Sequence, residues 1–328
     1  MYSRSKKCAI VILAARVNIL SDTLNFFYQN WNNNYKYPIY IHTFGKLITE
    51  RKKKEIHDKI DNTIKFFEIY PEVPKHINEK DLYYNRTYHE YVKKSFNKKR
   101  LGFLHMCHFF LNITKFGSPG CFVNELKKYD NIMWIDDETY FKKKIDNNLF
   151  EFCDKFPLVT ASMTELKKTT TNLAVTENLW KFYRNYILKN KIEPKSTVLK
   201  KAVIENNEDV IFEIDWSCGS TEILSLKFFK NKQWENYLNE INSYGGVYKY
   251  RWNCGYLINL YLMTFYDNPI YDLDYFKKDV INFKIAGTNT PVYYNYPDIY
   301  NSKFLGFVYR NFVEPIKKIK QKYLKKIK

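Results

Sequence analysis

Residues 129–141 read Tyr-Asp-Asn-Ile-Met-Trp-Ile-Asp-Asp-Glu-Thr-Tyr-Phe. The apolar run from Ile132 to Ile135 has the length and composition of a buried strand, and it ends in three consecutive carboxylates: Asp136, Asp137 and Glu138. Carboxylates crowded at a strand tip repel one another, so such a trio is favoured where a hard cation or a cationic ligand sits among them. The competing reading is a solvated turn after a strand. The flanking segments bear on the choice.

Upstream, Cys8–Ala15 reads as a first buried strand, followed by a helix capped at Ser21 with Leu24, Phe27, Tyr28 and Trp31 on one face. Tyr37–Thr43 reads as a second strand, Glu50 to about Asp61 as a charged helix, and Ile64–Tyr70 as a third strand. This β-α-β-α-β alternation is the pattern of a doubly wound nucleotide-binding half. No Gly-rich phosphate loop accompanies it, which argues against a dinucleotide site or a P-loop. Residues 83–116 read as a long helical region. Downstream come a strand at Leu158–Met163, an amphipathic helix at Glu177–Lys189, a polar loop over 189–208, a segment opening at Trp216, and helices over Gln233–Ile241 and about Gly255–Phe265.

A chain of 328 residues with 45% hydrophobic and 18% aromatic residues can bury a large core. The net charge of +18 invites a nucleic-acid reading, yet only eight of the 53 basic residues are Arg, they are dispersed, and no nucleic-acid motif accompanies them. The Lys excess sits among Asn, Tyr and Ile, as AT-rich coding produces. No nucleic-acid partner is expected, although the positive field would attract phosphorylated ligands. Six dispersed cysteines show no zinc spacing and read as free buried thiols, a disulfide requiring an oxidising compartment. The Asn-x-Ser/Thr sequons at Asn85 and Asn112 are expected by chance in so Asn-rich a chain. No signal sequence or membrane-spanning stretch is legible, so a cytoplasmic or peripheral membrane location is the expectation. From Ile316 onward, Ile316, Ile319, Tyr323, Leu324 and Ile327 share one helical face and seven lysines take the rest. Residues 316–328 can thus lie on an anionic membrane surface, or dock their apolar stripe on the domain.

Taken in order, the segments resemble the fungal α-1,2-mannosyltransferases of glycosyltransferase family 15 over about residues 7–275. Ile10-Val-Ile-Leu-Ala-Ala-Arg16 is similar to that family's opening strand, Tyr37-Pro-Ile-Tyr-Ile41 to its second, and His105-Met106-Cys107 to a His-Met-Cys on a helix. Residues 129–141 occupy the place of its acidic motif, and Trp180 that of a Thr-Leu-Trp helix start. The most specific blocks are Thr221-Glu222-Ile223 with Leu226-x-Phe228-Phe229-Lys230, and Gly245-Gly246-x-Tyr248-x-x-Arg251-Trp252. The chain departs from the family in three places. Ile135 stands where an Arg is expected, Asn253-Cys254 replaces Gly-Asp, and no His follows His108 to serve as a late metal ligand. Asp272 or Asp274 is a candidate substitute.

The resemblance implies a GT-A-type nucleotide-sugar-binding sandwich with a central mixed sheet flanked by helices. With no internal repeat and no linker rich in Pro, Gly or Ser, the chain parses as a single domain over 1–275, with 276–315 as an extension packed on it and 316–328 as a basic tail. The resemblance also implies a retaining transfer of α-mannose from GDP-mannose to a glycan acceptor, aided by Mn²⁺ or Mg²⁺. The metal candidates are Asp136, Asp137 and Glu138, and the donor-binding candidates are Arg16, Arg251, Asp136 and His105. Glu222 matches the group that faces the anomeric carbon, as nucleophile or as stabiliser of an oxocarbenium ion. Each has a plainer alternative: Glu222 as an ion-pair partner of a Lys or of Arg251, Arg16 in a surface ion pair, Arg251 packed on a ring, His105 as a satisfied helix histidine. Tyr248, Tyr250, Trp216 and Trp252 offer stacking faces for a sugar or base, or core packing. The alternatives are a GT-A transferase using another nucleotide sugar and a degenerate, non-catalytic glycan- or membrane-binding relative. The composition fits AT-rich DNA, as in a large DNA virus or a protist.

Overall fold

In a computed structural model of the chain, the residues described are 7–60, 63–83, 101–112, 123–137, 139–141, 143–161, 163–217, 221–273 and 280–282. Eleven strands occur among them: β1 Cys8–Leu13, β2 Ile39–Phe44, β3 Ile64–Ile69, β4 Asn131–Asp136, β5 Thr139–Phe141, β6 Leu158–Thr160, β7 Met163–Glu165, β8 Asp215–Ser217, β9 Thr221–Ser225, β10 Ile270–Asp272 and β11 Val280–Asn282. Seven of them form one sheet in the order β10-β6-β9-β4-β1-β2-β3. All neighbours in it are parallel except β9, which runs antiparallel between β4 and β6. β1 and β4 read as near-continuous apolar runs because both of their faces are covered, and β9, Thr-Glu-Ile-Leu-Ser, is likewise buried throughout.

One face carries Ile10, Ile12, Ile41, Met133, Ile135 and Ile223, packed under the helix Val17–Asn30 through Leu20, Leu24 and Phe27. The other carries Val11, Leu13, Trp134 and Leu224, covered by the helices Leu101–Leu111, Leu179–Lys189, Lys232–Tyr244 and Cys254–Phe265. The result is a mixed sheet between two helical layers, the sandwich the sequence pattern implies.

Two elements differ from the sequence reading. The first helix begins at Val17 rather than after Ser21, and Ser21 is buried inside it. A distant carboxylate, described below, holds its entry amides, a device invisible in local sequence. The polar stretch 189–208 contains a helix, Thr197–Glu205. Ser196 caps it by accepting the Leu199 amide, and Leu199, Ala202 and Val203 are buried at helical spacing. The Lys- and Asn-rich residues around it hide that stripe.

Candidate active site

β1 leads outward to β2 and β3 on one side of the sheet, while β4 lies on its other side. The β1/β4 junction is therefore a topological switch point, where ligands bind beyond the carboxyl ends of strands in open α/β sheets. The turns after the two strands are tied together there. The Asp137 carboxylate accepts the backbone amides of Ala15 and Arg16, each at 2.6 Å, and pairs with the Arg16 guanidinium. The Thr23 hydroxyl donates to the Asp137 carbonyl at 3.1 Å. Asp137 is buried, and its charge sits at the N-terminal end of the helix Val17–Asn30, where a negative charge is favoured.

Asp136 has different partners. It is the last residue of β4, opposite Leu13, and its Oδ1 accepts the Trp134 indole N–H at 3.2 Å. Trp134 is the register partner of Glu222 on β9, and β9 runs antiparallel to β4. Residues two apart share a face, so Trp134, Asp136 and Glu222 lie on one side of the sheet, Asp136 diagonal to Glu222. Glu222 is buried, with Thr160 of β6 as its register partner on the other side. Burial first, and the Asp136 charge in addition, push its carboxyl up to about 8, against a hydrogen bond from Ser217 that favours the ionised form.

A roof of helical residues closes this face. His105 and Tyr248 are hydrogen-bonded, Nδ1 to Oη at 3.0 Å, and His108 lies against the same ring. Burial lowers both histidines to about 4, so both are neutral at pH 7. Arg251 ends the helix Gly246–Tyr250 in the left-handed region, φ 63°, and its guanidinium lies 4.2 Å from the Phe103 ring centroid. Gly246 packs directly on the Trp252 ring, where a Cβ would have no room. The Trp252 indole donates to the Glu177 carbonyl at 2.8 Å. The Cys254 thiol donates to the Asn253 side-chain oxygen at 3.5 Å, and the neighbouring Cys107, burial and the Glu222 charge push it well up.

The sequence-derived candidates thus fall into three groups. Asp136 and Glu222 share one face, Arg16 and Asp137 pair in the adjoining turn, and His105 and Arg251 sit on the helical roof. Glu138 and Asp274 lie outside the described residues, as does the basic tail. Trp216, Tyr248 and Trp252 are buried among other rings and serve the core. Asn112 is buried too. Sequence reasoning missed Ser217 and Asn259 behind Glu222, and the anchoring role of Asp137.

Among the described residues no three His, Cys, Asp or Glu side chains converge as a metal site. A divalent cation that keeps waters and takes phosphate oxygens from a substrate needs only one or two protein carboxylates. Asp136 at the strand tip supplies one, so the donor set fits a cation carried with a diphosphate. No helix among the described residues is long and apolar enough to cross a membrane.

Comparison with known proteins places this geometry. A curated relative, O-glycoside alpha-1,2-mannosyltransferase homolog 5 of Schizosaccharomyces pombe, is 25% identical over 263 residues, which are 70% of this chain; the chain spans 58% of that relative's length. Among solved structures, core-mannan synthase A (CmsA/Ktr4) from Aspergillus fumigatus, in an Mn/GDP form, superposes with a TM-score of 0.68 at 16% identity, covering 83% of this chain and 74% of that one. The mannosyltransferase Ktr4p from S. cerevisiae gives 0.67 at 19% identity, covering 88% and 73%. At such identities these likenesses speak for the fold. The profile of the glycolipid 2-alpha-mannosyltransferase family matches residues 2–282, nearly all of the compact unit that carries this site, and the chain belongs to that family.

Proposed function

We propose that the chain is a retaining mannosyltransferase that moves α-mannose from GDP-mannose to a hydroxyl of a glycan acceptor. The observation that carries this reading is the placement of Asp136 and Glu222 on one sheet face, on adjacent strands, at the switch point. Support for the donor comes from relatives described as α-1,2-mannosyltransferases and from a Ktr4p structure in complex with GDP.

In this reading Asp136, and Glu138 two positions on in the sequence, would hold the Mn²⁺ or Mg²⁺ that accompanies the donor diphosphate. When bound, the ion neutralises charge that grows on the departing diphosphate. Asp137 holds the two turns together and directs Arg16, whose guanidinium would meet a phosphate of the donor. Glu222 faces the β-side of the anomeric carbon. The bond from that carbon to the diphosphate breaks with its electron pair leaving on phosphate. The bond to the acceptor oxygen forms and the hydroxyl proton is released. The buried carboxyl lacks water to disperse its charge, so it interacts strongly with positive charge developing at the sugar. A cation at Asp136 removes the repulsive part of its raised pKa and favours the ionised form. Arg251 and His105, above the same face, flank the space for donor or acceptor.

A panel of nucleotide sugars, with and without Mn²⁺, monitored by diphosphate release, tests the proposal. Release from GDP-mannose that needs Mn²⁺ and disappears in Glu222→Gln, with GDP binding kept, supports it. Preference for another nucleotide sugar reassigns the donor, and wild-type turnover in Glu222→Gln sinks the catalytic assignment. Peripheral binding to anionic membranes through residues 316–328 is a separate proposal. Deleting that tail should abolish sedimentation with anionic liposomes, and unchanged partitioning refutes it.

A further inference from the structure

The helix Cys254–Phe265 is apolar almost throughout, yet Asn259 in its middle is wholly buried. A buried amide costs stability unless its donors and acceptor are all used. The sequence arranges that use from the helix start. Asn253 caps the helix by accepting the Gly255 amide at 2.8 Å. Gly255 lies so close to β8 that a Cβ there would come within 2.5 Å of the Ser217 carbonyl oxygen. Asn259, one turn later on the same face, is thereby laid against Ser217.

The orientation of the amide follows from the hydrogen bonds available. With its oxygen toward the strand, Asn259 accepts the Ser217 backbone amide at 2.8 Å. Its Nδ2 then donates to the Gly255 carbonyl at 3.2 Å and to the Ser217 hydroxyl oxygen at 2.9 Å. The reverse orientation would set two N–H groups face to face. It would also draw the Ser217 proton to Asn259, at 2.9 Å. A hydroxyl has one proton. Once it accepts from Asn259, that proton is free for the nearby Glu222 carboxyl, whose ionised form Ser217 favours.

We infer that Asn259 acts through Ser217 as a positioning residue that fixes the direction of the Glu222 carboxylate in the transfer reaction. The inference rests on the assignment of Glu222 above. The other ionisable groups facing Glu222 are Asp136 on β4 and Cys254 at the helix start, with Cys107 near Cys254. All are acids, so their ionised forms repel the carboxylate rather than hold it. Ser217 and Asn259 give the side chain one rotamer on a rigid strand, the support a reacting carboxylate needs to stay within about 0.5 Å of its working position.

The test uses the full chain with GDP-mannose, Mn²⁺ and methyl α-mannoside, in Ser217→Ala, Asn259→Leu, Ser217→Thr and Glu222→Gln. Ser217→Ala and Asn259→Leu are expected to lower kcat roughly 10- to 100-fold while KM for GDP-mannose stays within about twofold. Ser217→Thr, which keeps the hydroxyl, should recover most of the turnover. A packing defect alone would instead lower Tm and leave kcat of the folded fraction intact. Wild-type kcat in Ser217→Ala overturns the inference, as does turnover in Ser217→Thr no better than in Ser217→Ala. If Asn259→Leu fails to fold, the two serine variants decide. Full activity in Glu222→Gln would remove the Glu222 assignment and this inference with it. An inactive Glu222→Gln beside a fully active Ser217→Ala removes the positioning role alone.

Discussion

Arg16 grips Asp137 twice, through its backbone amide at 2.6 Å and through its guanidinium on the other carboxylate oxygen. The two residues are far apart in sequence, yet this contact joins the turns of β1 and β4 and sets where the first helix begins. The two halves of the contact differ in environment. The Asp137 side chain is 3% exposed and that of Arg16 is 37% exposed. Removing the carboxylate strands two backbone amides, whereas removing the guanidinium exposes a carboxylate that keeps both. Asp137→Ala should therefore cost about 3 kcal/mol, and Arg16→Ala about 1 kcal/mol after solvent screening. Urea unfolding of both variants and the double variant measures the coupling. Equal losses would show that the amide bonds contribute little. If Arg16 also contacts the diphosphate, Arg16→Ala weakens GDP binding well beyond its effect on stability.

Glu222 stores a pH-dependent instability. Its carboxyl is pushed from the ordinary 4.5 to about 8 in the folded chain. Between those values the unfolded chain has released a proton that the native chain retains, so stability falls as pH rises through this window and levels off above 8. A glutamine has no such loss. The Tm advantage of Glu222→Gln over wild type should be small near pH 4.5 and grow to roughly 3 °C or more at pH 8. Thermal melts across pH check this, and a difference independent of pH would place Glu222 in a wetter site than the structure describes.

Asp136→Asn separates the two effects of that carboxylate. Its negative charge helps raise Glu222, so in the metal-free protein the Glu222 carboxyl should titrate at lower pH in the variant than in the wild type. Turnover should fall at least about 10-fold, and the Mn²⁺ concentration for half-maximal activity should rise. The Trp134 indole still finds an oxygen in Asn, so the fold should survive. Unaltered Mn²⁺ dependence would move the cation to other ligands.

The β-α-β-α-β alternation and the apolar run before Asp136 were legible because parallel strands covered on both faces leave continuous hydrophobic stretches. Asp136 stood out as an acid at the end of such a run, and Glu222 through its likeness to the family's motif. Their neighbourhood was not legible: it depends on β9 inserting antiparallel beside β4, a register choice no local pattern encodes. Asp137 looked like a third member of an acidic cluster, and only the tertiary fold turns it toward Ala15 and Arg16. Asn259 was hidden for a similar reason. In an Asn-rich chain one more Asn carries no signal until its burial is known.

Acid should unfold this protein steeply, through three histidines. His42 on β2 is packed between the rings of Phe67 and Phe109, at 5.2 and 5.3 Å, and His105 and His108 both face Tyr248. Burial lowers each of the three to about 4, from an ordinary 6.5. Between 6.5 and 4 the unfolded chain binds protons that the native chain refuses, so stability is lost as pH falls through this range. Glu222 works the other way over the overlapping part, since the native chain holds its proton there. Net uptake on unfolding near pH 5.5 is then nearer two protons than three, or about 2.7 kcal/mol of stability per pH unit from these groups. His42→Phe suits the aromatic site and removes one of the protons, so it should flatten the dependence by about 1.4 kcal/mol per pH unit. Urea titrations at several pH values between 4.5 and 6.5 read that slope directly. An unchanged slope would mean that His42 takes up its proton in the folded protein, and so reaches solvent or an acceptor that the packing described here does not provide.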